Sequence, residues 1–338
     1  MSLNNPSIAI VGATGAVGTE LIACLEQRDF PLRDLRLFAS RRSAGRRLMF
    51  RGDGLPVQEL TEGALAGADL ALFSAGSATS RRFAPAAVRQ GAVVVDNSSA
   101  FRMDSEVPLV VPEVNAGAIT SHRGIIANPN CVAIIAAVPL WPLHREVGIA
   151  RVVAATYQAA SGAGAAAMAE LRGATAAYLA GKDFTQSVLR HPYAFNLFSH
   201  DTAVDPETGA NEEETKVVRE LRKILQAPYL PIGITCIRVP VLRAHSIALT
   251  VELARPVAPA EAREILAAAP GIRIVDDREA NHFPMPNEAS GQGDVLVGRV
   301  RRDGSDPSGR TLALFVAGDQ LLKGAALNAV QIAEHLMN

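Results

Sequence analysis

Over the first 130 residues, short and nearly uninterrupted apolar runs alternate with longer mixed stretches. Ser7-Ile-Ala-Ile-Val11, Leu35-Arg-Leu-Phe-Ala39, Leu70-Ala-Leu-Phe-Ser74 and Ala92-Val-Val-Val-Asp96 have the length and composition of strands buried on both faces. The last two end in small or polar residues, Ala75-Gly76 and Asn97-Ser98-Ser99, as strands do at the ligand edge of a doubly wound sheet. Helix-compatible segments lie between them, which predicts a Rossmann-type parallel α/β domain. The pattern changes after residue 131. Arg151-Val-Val-Ala-Ala-Thr-Tyr157 reads as a strand, residues 165–180 as an alanine-rich helix and residues 200–211 as a polar loop. A charged helix opens at Glu212, and two alternating runs follow, Ile234-Thr-Cys-Ile-Arg-Val239 and Ser246-Ile-Ala-Leu-Thr-Val-Glu252. This predicts a second, α+β domain on a largely antiparallel sheet. Residues 321–336 carry apolar positions at helical spacing and are expected to pack back on the first domain. The expected division is 1–130 with 320–338, and 131–319.

Composition narrows the function classes. The 338 residues are 49% hydrophobic and 20% charged, with a net charge of −1. Lys and Arg are scattered, so neither nucleic acid nor an anionic membrane is an expected partner. The longest apolar stretch, 132–143, is broken by Pro139 and Pro142 and is too short to span a bilayer. The opening Met-Ser-Leu-Asn-Asn-Pro-Ser lacks the basic region and apolar core of a secretory leader. Cys24, Cys131 and Cys236 are far apart and make neither a disulfide framework nor a metal set. A reducing cytoplasm and no bound metal are the expectations.

The first strand runs into Gly12-Ala-Thr-Gly15-Ala-Val-Gly18 and then a segment of helical composition. Strand, glycine turn and helix in this order are the setting of a dinucleotide fingerprint. Gly12 permits the tight turn, Gly15 lets the backbone approach a pyrophosphate, and Gly18 allows close helix packing. A glycine-rich turn without a ligand is the plain alternative. An NAD site places Asp or Glu at the end of the second strand, to hold the ribose 2′-hydroxyl. Here Ser40-Arg41-Arg42-Ser43 follows, and guanidinium groups and hydroxyls suit a 2′-phosphate. NADP is expected over NAD.

Cys131 follows Asn128-Pro-Asn130 at the foot of the apolar run 132–140. A turn followed by a helix would aim unpaired N–H groups and a positive dipole end at the sulfur, which favours the nucleophilic thiolate. By itself such a residue also reads as a buried core cysteine. Arg238 lies inside an apolar strand, where an unpaired charge is costly; a structural ion pair is the alternative. His245 stands at a strand start, and Glu213-Glu214-Thr-Lys216 also reads as a solvated helix face.

Taken in order, these segments resemble the aspartate-β-semialdehyde dehydrogenase family from Ile8 to the last helix. The resemblance rests on the glycine turn, Arg42-Ser-Ala-Gly45, Asp96-Asn-Ser-Ser-Ala-Phe-Arg-Met103, Val111-Pro-Glu-Val-Asn115 and Asn128-Pro-Asn-Cys131. It continues through Thr156-Tyr-Gln-Ala-Ala-Ser-Gly-Ala-Gly164, Asn211-Glu-Glu-Glu-Thr-Lys216, Arg238-Val-Pro240 with His245, and Lys323-Gly-Ala-Ala326. It implies NADPH-dependent reductive dephosphorylation of L-4-aspartyl phosphate to L-aspartate 4-semialdehyde, with release of phosphate. It also implies roles: Cys131 as nucleophile, His245 as general acid–base with a pKa near its ordinary value, and Gln158 orienting the substrate. Arg238 would clamp the α-carboxylate, Glu213 would meet the α-ammonium, and Arg102, Lys216 and Asn130 would complete the substrate site. NADP contacts would come from Gly12, Thr14, Gly15, Ala16, Val17, Ser40, Arg42, Ser43, Ser161, Gly162 and Gln320. A homodimer or homotetramer is implied. One departure is Val132, where the family usually carries Ser or Thr after the cysteine. The competing readings are N-acetyl-glutamyl-phosphate reductase, which typically has Gly before the cysteine, and a catalytically silent nucleotide-binding relative.

Overall fold

A computed structural model describes residues 4–337. Met1 to Leu3, part of the opening segment on which the expectation of no secretory leader rests, and Asn338 lie outside the described residues. The chain begins with β1 (Ser7–Val11), α1 (Ala16–Gln27), β2 (Asp34–Ala39), β3 (Arg47–Phe50), β4 (Asp53–Glu59), β5 (Leu70–Phe73), α2 (Ser77–Arg89) and β6 (Val93–Asp96). It continues with α3 (Pro112–Asn115), β7 (Ile125–Ala127), α4 (Cys131–Val147), β8 (Ile149–Gln158), α5 (Ala165–Leu179), β9 (Phe198–Ser199), α6 (Glu212–Ile224), β10 (Ile232–Arg238) and β11 (His245–Leu253). The last elements are α7 (Pro259–Ala267), β12 (Ile272–Ile274), α8 (Pro286–Ala289), β13 (Val295–Arg302), β14 (Thr311–Gly318) and α9 (Leu327–His335). The chain divides into two compact units, residues 1–130 with 324–338, and residues 131–323. The return to the first unit falls at Gly324, a few residues beyond the expected 320.

In the first unit the sheet order is β3-β4-β2-β1-β5-β6-β7. Every pairing is parallel except β3 with β4. β1 and β5 are buried at every position, as strands covered on both faces must be. The chain runs from β1 to β2 on one side and returns to β5 on the other, so strand order reverses at β1 and β5. That reversal opens a crevice at the carboxyl ends of the strands. The helix expected between β2 and β5 is not formed among these described residues. A hairpin, β3–β4, takes its place, and β4 pairs parallel with β2. Arg51 and Gly52 both adopt positive φ, 49° and 84°, which is the geometry of a tight hairpin turn. α9 packs against α1 and β6 and is joined to this unit by ion pairing of Glu334 with Arg28.

The second unit holds a mixed sheet of order β12-β13-β14-β11-β8-β10-β9. The neighbours β8–β10 and β12–β13 are parallel, and the other pairings are antiparallel. α4 and α7 pack on the strands of one face, with α6 against β10. α4 runs through Pro139 and Pro142, each of which removes a helix hydrogen bond. Its residues from Val132 to Leu140 are all buried, and that packing offsets the lost bonds. The opposite face of β8 leaves Val153 and Tyr157 exposed, with Tyr157 beside Phe315 of β14.

Candidate active site

In the first unit the glycine turn follows from sterics. Gly12 has φ 90°, and a Cβ there would lie 2.3 Å from the Ser74 carbonyl oxygen. A Cβ on Gly18 would lie 2.1 Å from the Gly12 carbonyl oxygen. Neither position admits a side chain without moving β5 or the turn itself. Gly15 is the N-cap of α1 and supplies no side-chain cap. The first-turn N–H groups, including those of Ala16 and Val17, are therefore available to a phosphate. Beside them lies a cleft of about 460 Å³ lined by Gly12, Thr14, Gly15, Ser40, Arg42 and Ser43, among others. Arg41–Ser43 forms a single 3₁₀ turn after β2, with Ser40 and Arg42 exposed and Ser43 buried. The donor set is hydroxyls, backbone N–H groups and guanidinium, with Glu59 on the lining as well. It fits a dinucleotide carrying a third phosphate.

Arg102, also in the first unit, is buried. Its Nε donates to the Asn128 carbonyl at 3.0 Å and its Nη2 to the Asn97 carbonyl at 2.7 Å. Asn130 is buried at the end of this unit, directly before Cys131.

In the second unit Cys131 is half-buried and is the first residue of α4, so the sulfur belongs to the helix's positive end. Val132 beside it is fully buried. The strand ends bring a polar group together. Gln158 closes β8 and stands in register with Arg238 at the end of β10, and His245 opens β11. All three are buried. Gln158 Nε2 donates to Glu213 Oε1 at 3.3 Å, while its Oε1 is buried without a hydrogen-bond partner. Arg238 Nε donates to Asp201 Oδ1 at 3.3 Å, and its Nη1 to the Ala159 carbonyl at 3.4 Å.

The His245 Nδ1 accepts from the Ala159 N–H at 3.0 Å. The neutral ring therefore carries its hydrogen on Nε2. Burial above all, then the positive charges of Arg238 and His200, hold His245 well below the usual histidine value. The expectation of an ordinary pKa is corrected: desolvation keeps this imidazole neutral. Ala244, directly before it, is fully buried at φ 72°, a conformation an alanine holds only at some cost. A Cβ on Gly162 would lie 3.0 Å from His245 Cε1 and 3.1 Å from Arg238 Nη1, so this glycine packs against both.

Gln320 Oε1 accepts from the Ala244 N–H at 2.9 Å, and its Nε2 donates to Ser161 Oγ. Both ends of the amide thus hold the Ser161 turn against the residue preceding His245. Lys216 pairs with Glu212 at 3.2 Å on the exposed face of α6. No sequence signal marks Asp201, Thr202 or His200, which lie in the polar loop before α6. Thr202 Oγ1 accepts from the Glu213 N–H at 3.3 Å and lies 3.2 Å from His200 Nδ1. No group of metal ligands occurs among the described residues, and no described helix is long and apolar enough to cross a membrane.

A dinucleotide cleft in one unit and a buried Gln–Arg–His group with a helix-start cysteine in the other define a nucleotide-dependent oxidoreductase of the semialdehyde dehydrogenase class. Residues 7–122 match the model of the semialdehyde dehydrogenase NAD binding domain, and residues 140–323 that of its dimerisation domain. Aspartate-semialdehyde dehydrogenase from Synechocystis sp. is 53% identical over 98% of this chain and 97% of its own. The enzyme of that name from Bacillus subtilis is 42% identical over 97% and 96%. The crystal structure of aspartate semialdehyde dehydrogenase II from Vibrio cholerae, complexed with ASA, superposes with TM-score 0.95 at 41% identity, covering 99% of this chain and 98% of that one. This chain belongs to the aspartate-semialdehyde dehydrogenase family.

Proposed function

We propose that Cys131, His245 and Gln158 carry out the family reaction in this chain, the reductive dephosphorylation of L-4-aspartyl phosphate to L-aspartate 4-semialdehyde. The observation that carries this reading is the buried Gln158–Glu213–Arg238–His245 group, whose charges complement an α-amino acid. Arg238 meets the α-carboxylate and Glu213 the α-ammonium. The Cys131 thiolate attacks the acyl carbon; a C–S bond forms as the C–O bond to phosphate breaks, leaving a thioacyl enzyme and inorganic phosphate. NADPH, when bound, supplies the hydride that reduces this carbon to the aldehyde level. His245, neutral with its proton on Nε2, donates to the oxygen that gains charge and takes the proton back as the C–S bond breaks. Gln158 orients that acyl group. Arg102, Lys216 and Asn130 bind the phosphate that leaves.

The 2′-phosphate of NADP goes to Ser40, Arg42 and Ser43, and its pyrophosphate to the turn from Gly12 through Thr14, Gly15, Ala16 and Val17. Ser161, Gly162 and Gln320 are assigned to the cofactor's other end. In these terms residues 1–130 with the C-terminal helix form the NADP-binding domain, and the remainder is the catalytic and dimerisation domain. The enzyme works in the cytoplasm.

The test is the reverse reaction with L-aspartate semialdehyde, phosphate and NADP, following NADPH absorbance. Wild type should produce NADPH, and Cys131→Ser none. No product from the wild type, or full activity in the variant, would refute the assignment. N-acetyl-glutamate semialdehyde should not turn over, because acylation removes the ammonium that Glu213 meets.

A second copy of the chain is the partner proposed for the uncovered face of the second sheet, around Val153, Tyr157 and Phe315. A match to a dimerisation domain and exposed apolar side chains on an otherwise packed sheet support this. Tyr157→Lys should shift the elution and scattering mass from dimer to monomer. A dimer retained by that variant at micromolar concentration would place the contact elsewhere.

A further inference from the structure

Three asparagines in the first unit, Asn128 and Asn328 buried and Asn97 half-buried, are joined into one amide chain that ends on the carbonyls holding Arg102. Asn97 follows β6, Asn128 follows β7, and Asn328 is the second residue of α9. Asn128 Nδ2 donates to Asn97 Oδ1 at 2.8 Å and to the Ala325 carbonyl at 3.3 Å. Asn128 Oδ1 accepts from Asn328 Nδ2 at 2.7 Å, and the same Nδ2 donates to the Val110 carbonyl at 2.9 Å. Asn97 Nδ2 donates to the Phe73 carbonyl at 2.9 Å, at the end of β5. Asn128 is 1% exposed and Asn328 not at all. Both hydrogens of each of these two buried amides are therefore placed. A fully satisfied buried network of this kind specifies one arrangement, because any rotation leaves a polar group without a partner.

The chain bears on Arg102 through the main chain. The two carbonyls that accept from its Nε and Nη2 belong to Asn128 and Asn97 themselves, the residues whose side chains are joined to each other. The orientation of the guanidinium plane follows from where those two carbonyls stand. Where they stand follows in turn from the amide chain that α9 closes. A planar fork binds a phosphate through paired N–H groups, so its affinity depends on that orientation far more than a point charge would.

We propose that Asn328, acting through Asn128 and Asn97, is a positioning residue for Arg102 and thereby sets the affinity for phosphate. This rests on the reading of Arg102 as a phosphate ligand. The C-terminal helix then has a share in substrate binding besides closing the first unit. Asn328→Ala leaves Asn128 Oδ1 and the Val110 carbonyl without this donor. The buried Asn128 amide then keeps its bonds to Asn97 and Ala325 but loses the one that fixes its oxygen, and the carbonyls beside it shift.

The experiment uses the full-length enzyme in the reverse direction. KM is measured separately for phosphate, semialdehyde and NADP in wild type, Arg102→Ala, Asn328→Ala and the double variant, with thermal midpoints alongside. Asn328→Ala should raise the KM for phosphate about tenfold, less than the roughly hundredfold that a misplacement of about 1 Å can cost. The other two KM values should stay within about twofold. In the Arg102→Ala background the same substitution should have no further effect on the phosphate KM, because coupled residues are not additive. Where Asn328→Ala proves too unstable to purify, Asn328→Ser, which keeps one donor, should show the same selective rise at smaller size. An unchanged phosphate KM in Arg102→Ala would overturn the phosphate reading and this proposal with it. A raised value there, with Asn328 variants that lower only the midpoint or shift all three KM values alike, would overturn the positioning role alone. So would additive effects in the double variant.

Discussion

At the scale of single residues, Arg238 and its partner show what a sequence discloses and what it hides. An arginine inside an apolar strand announces itself, because a buried charge without compensation costs several kcal/mol. The compensating carboxylate does not. Asp201 arrives from a loop 37 residues earlier, and no local pattern marks it. The pair gives a graded prediction. Arg238→Lys keeps the charge but loses both the fork and the Nε contact to Asp201, so kcat/KM for the semialdehyde should fall about a hundredfold. Asp201→Asn should lose about tenfold, because the fork survives while its anchor weakens. Steady-state kinetics on both variants check this, and an Arg238→Lys variant with the wild-type kcat/KM would mean that charge alone matters. The cysteines part in the same way. Burial pushes Cys236 up to about 12, more than its contact with Thr156 lowers it, and Cys24 is buried in α1. Only Cys131 is partly accessible. Brief treatment with iodoacetamide at neutral pH should therefore alkylate Cys131 alone, as peptide mass mapping would read. Label on Cys236 at comparable rate would contradict the burial argument.

At the scale of elements, legibility follows periodicity. β1, β2, β5 and β6 are visible in the sequence because their apolar runs, bounded by turn residues, are long enough for a buried strand and too short for a buried helix. The β3–β4 hairpin is not, since Arg47–Phe50 and Asp53–Glu59 are short, partly polar and exposed on several positions. Its one signal is local: Arg51-Gly52 between two extended pieces, a turn dipeptide whose φ values only the structure reveals. α6 is the converse case, where sequence and geometry agree at the first turn. Asn211-Glu-Glu-Glu214 is a capping-box pattern, and both of its bonds form, Asn211 Oδ1 from the Glu214 N–H and Glu214 Oε2 from the Asn211 N–H, each at 2.9 Å. Glu214 Oε1 also accepts from the Cys236 N–H, which ties this helix start to β10. Because Glu213 lies between these anchors, its placement depends on them. Asn211→Ala should destabilise by about 1 kcal/mol, which in a chain of this size lowers the thermal midpoint by about 1–2 °C. It should also raise the KM for the semialdehyde while leaving that for NADP alone. An unaltered semialdehyde KM in a measurably destabilised variant would separate the cap from the site.

At the scale of the whole molecule, the charged groups predict how stability depends on pH. His122 in the first unit and His144, His200 and His245 in the second all lie below the ordinary histidine value. Burial is the leading cause in each. For His200 and His245 the positive charge of Arg238 adds to it, and for His200 Glu213 and Asp201 partly oppose. A histidine whose pKa is lower folded than unfolded binds fewer protons in the native state. Its contribution is complete above the unfolded value, about 6.5, and is lost as pH falls from there through the folded value. The carboxylates act in a lower window. Burial raises Glu170, but N–H donors from Ser187, Leu189 and Val188 outweigh it and leave the group below its ordinary 4.5, so its loss begins only beneath that. The thermal midpoint should therefore be nearly flat between about pH 8 and 7 and decline once the pH drops below about 6.5, well before the acidic groups titrate. His245 is the most completely buried of the four, at 1% exposure, so its replacement should flatten that decline most. A His245→Gln variant scanned beside wild type from pH 8 to pH 5, in about half-unit steps, should lie below wild type at neutral pH and converge with it on the acid side. Parallel curves would show that the acid sensitivity arises from the other three histidines, and that desolvation of the proposed acid–base carries no pH-dependent share of the fold's stability.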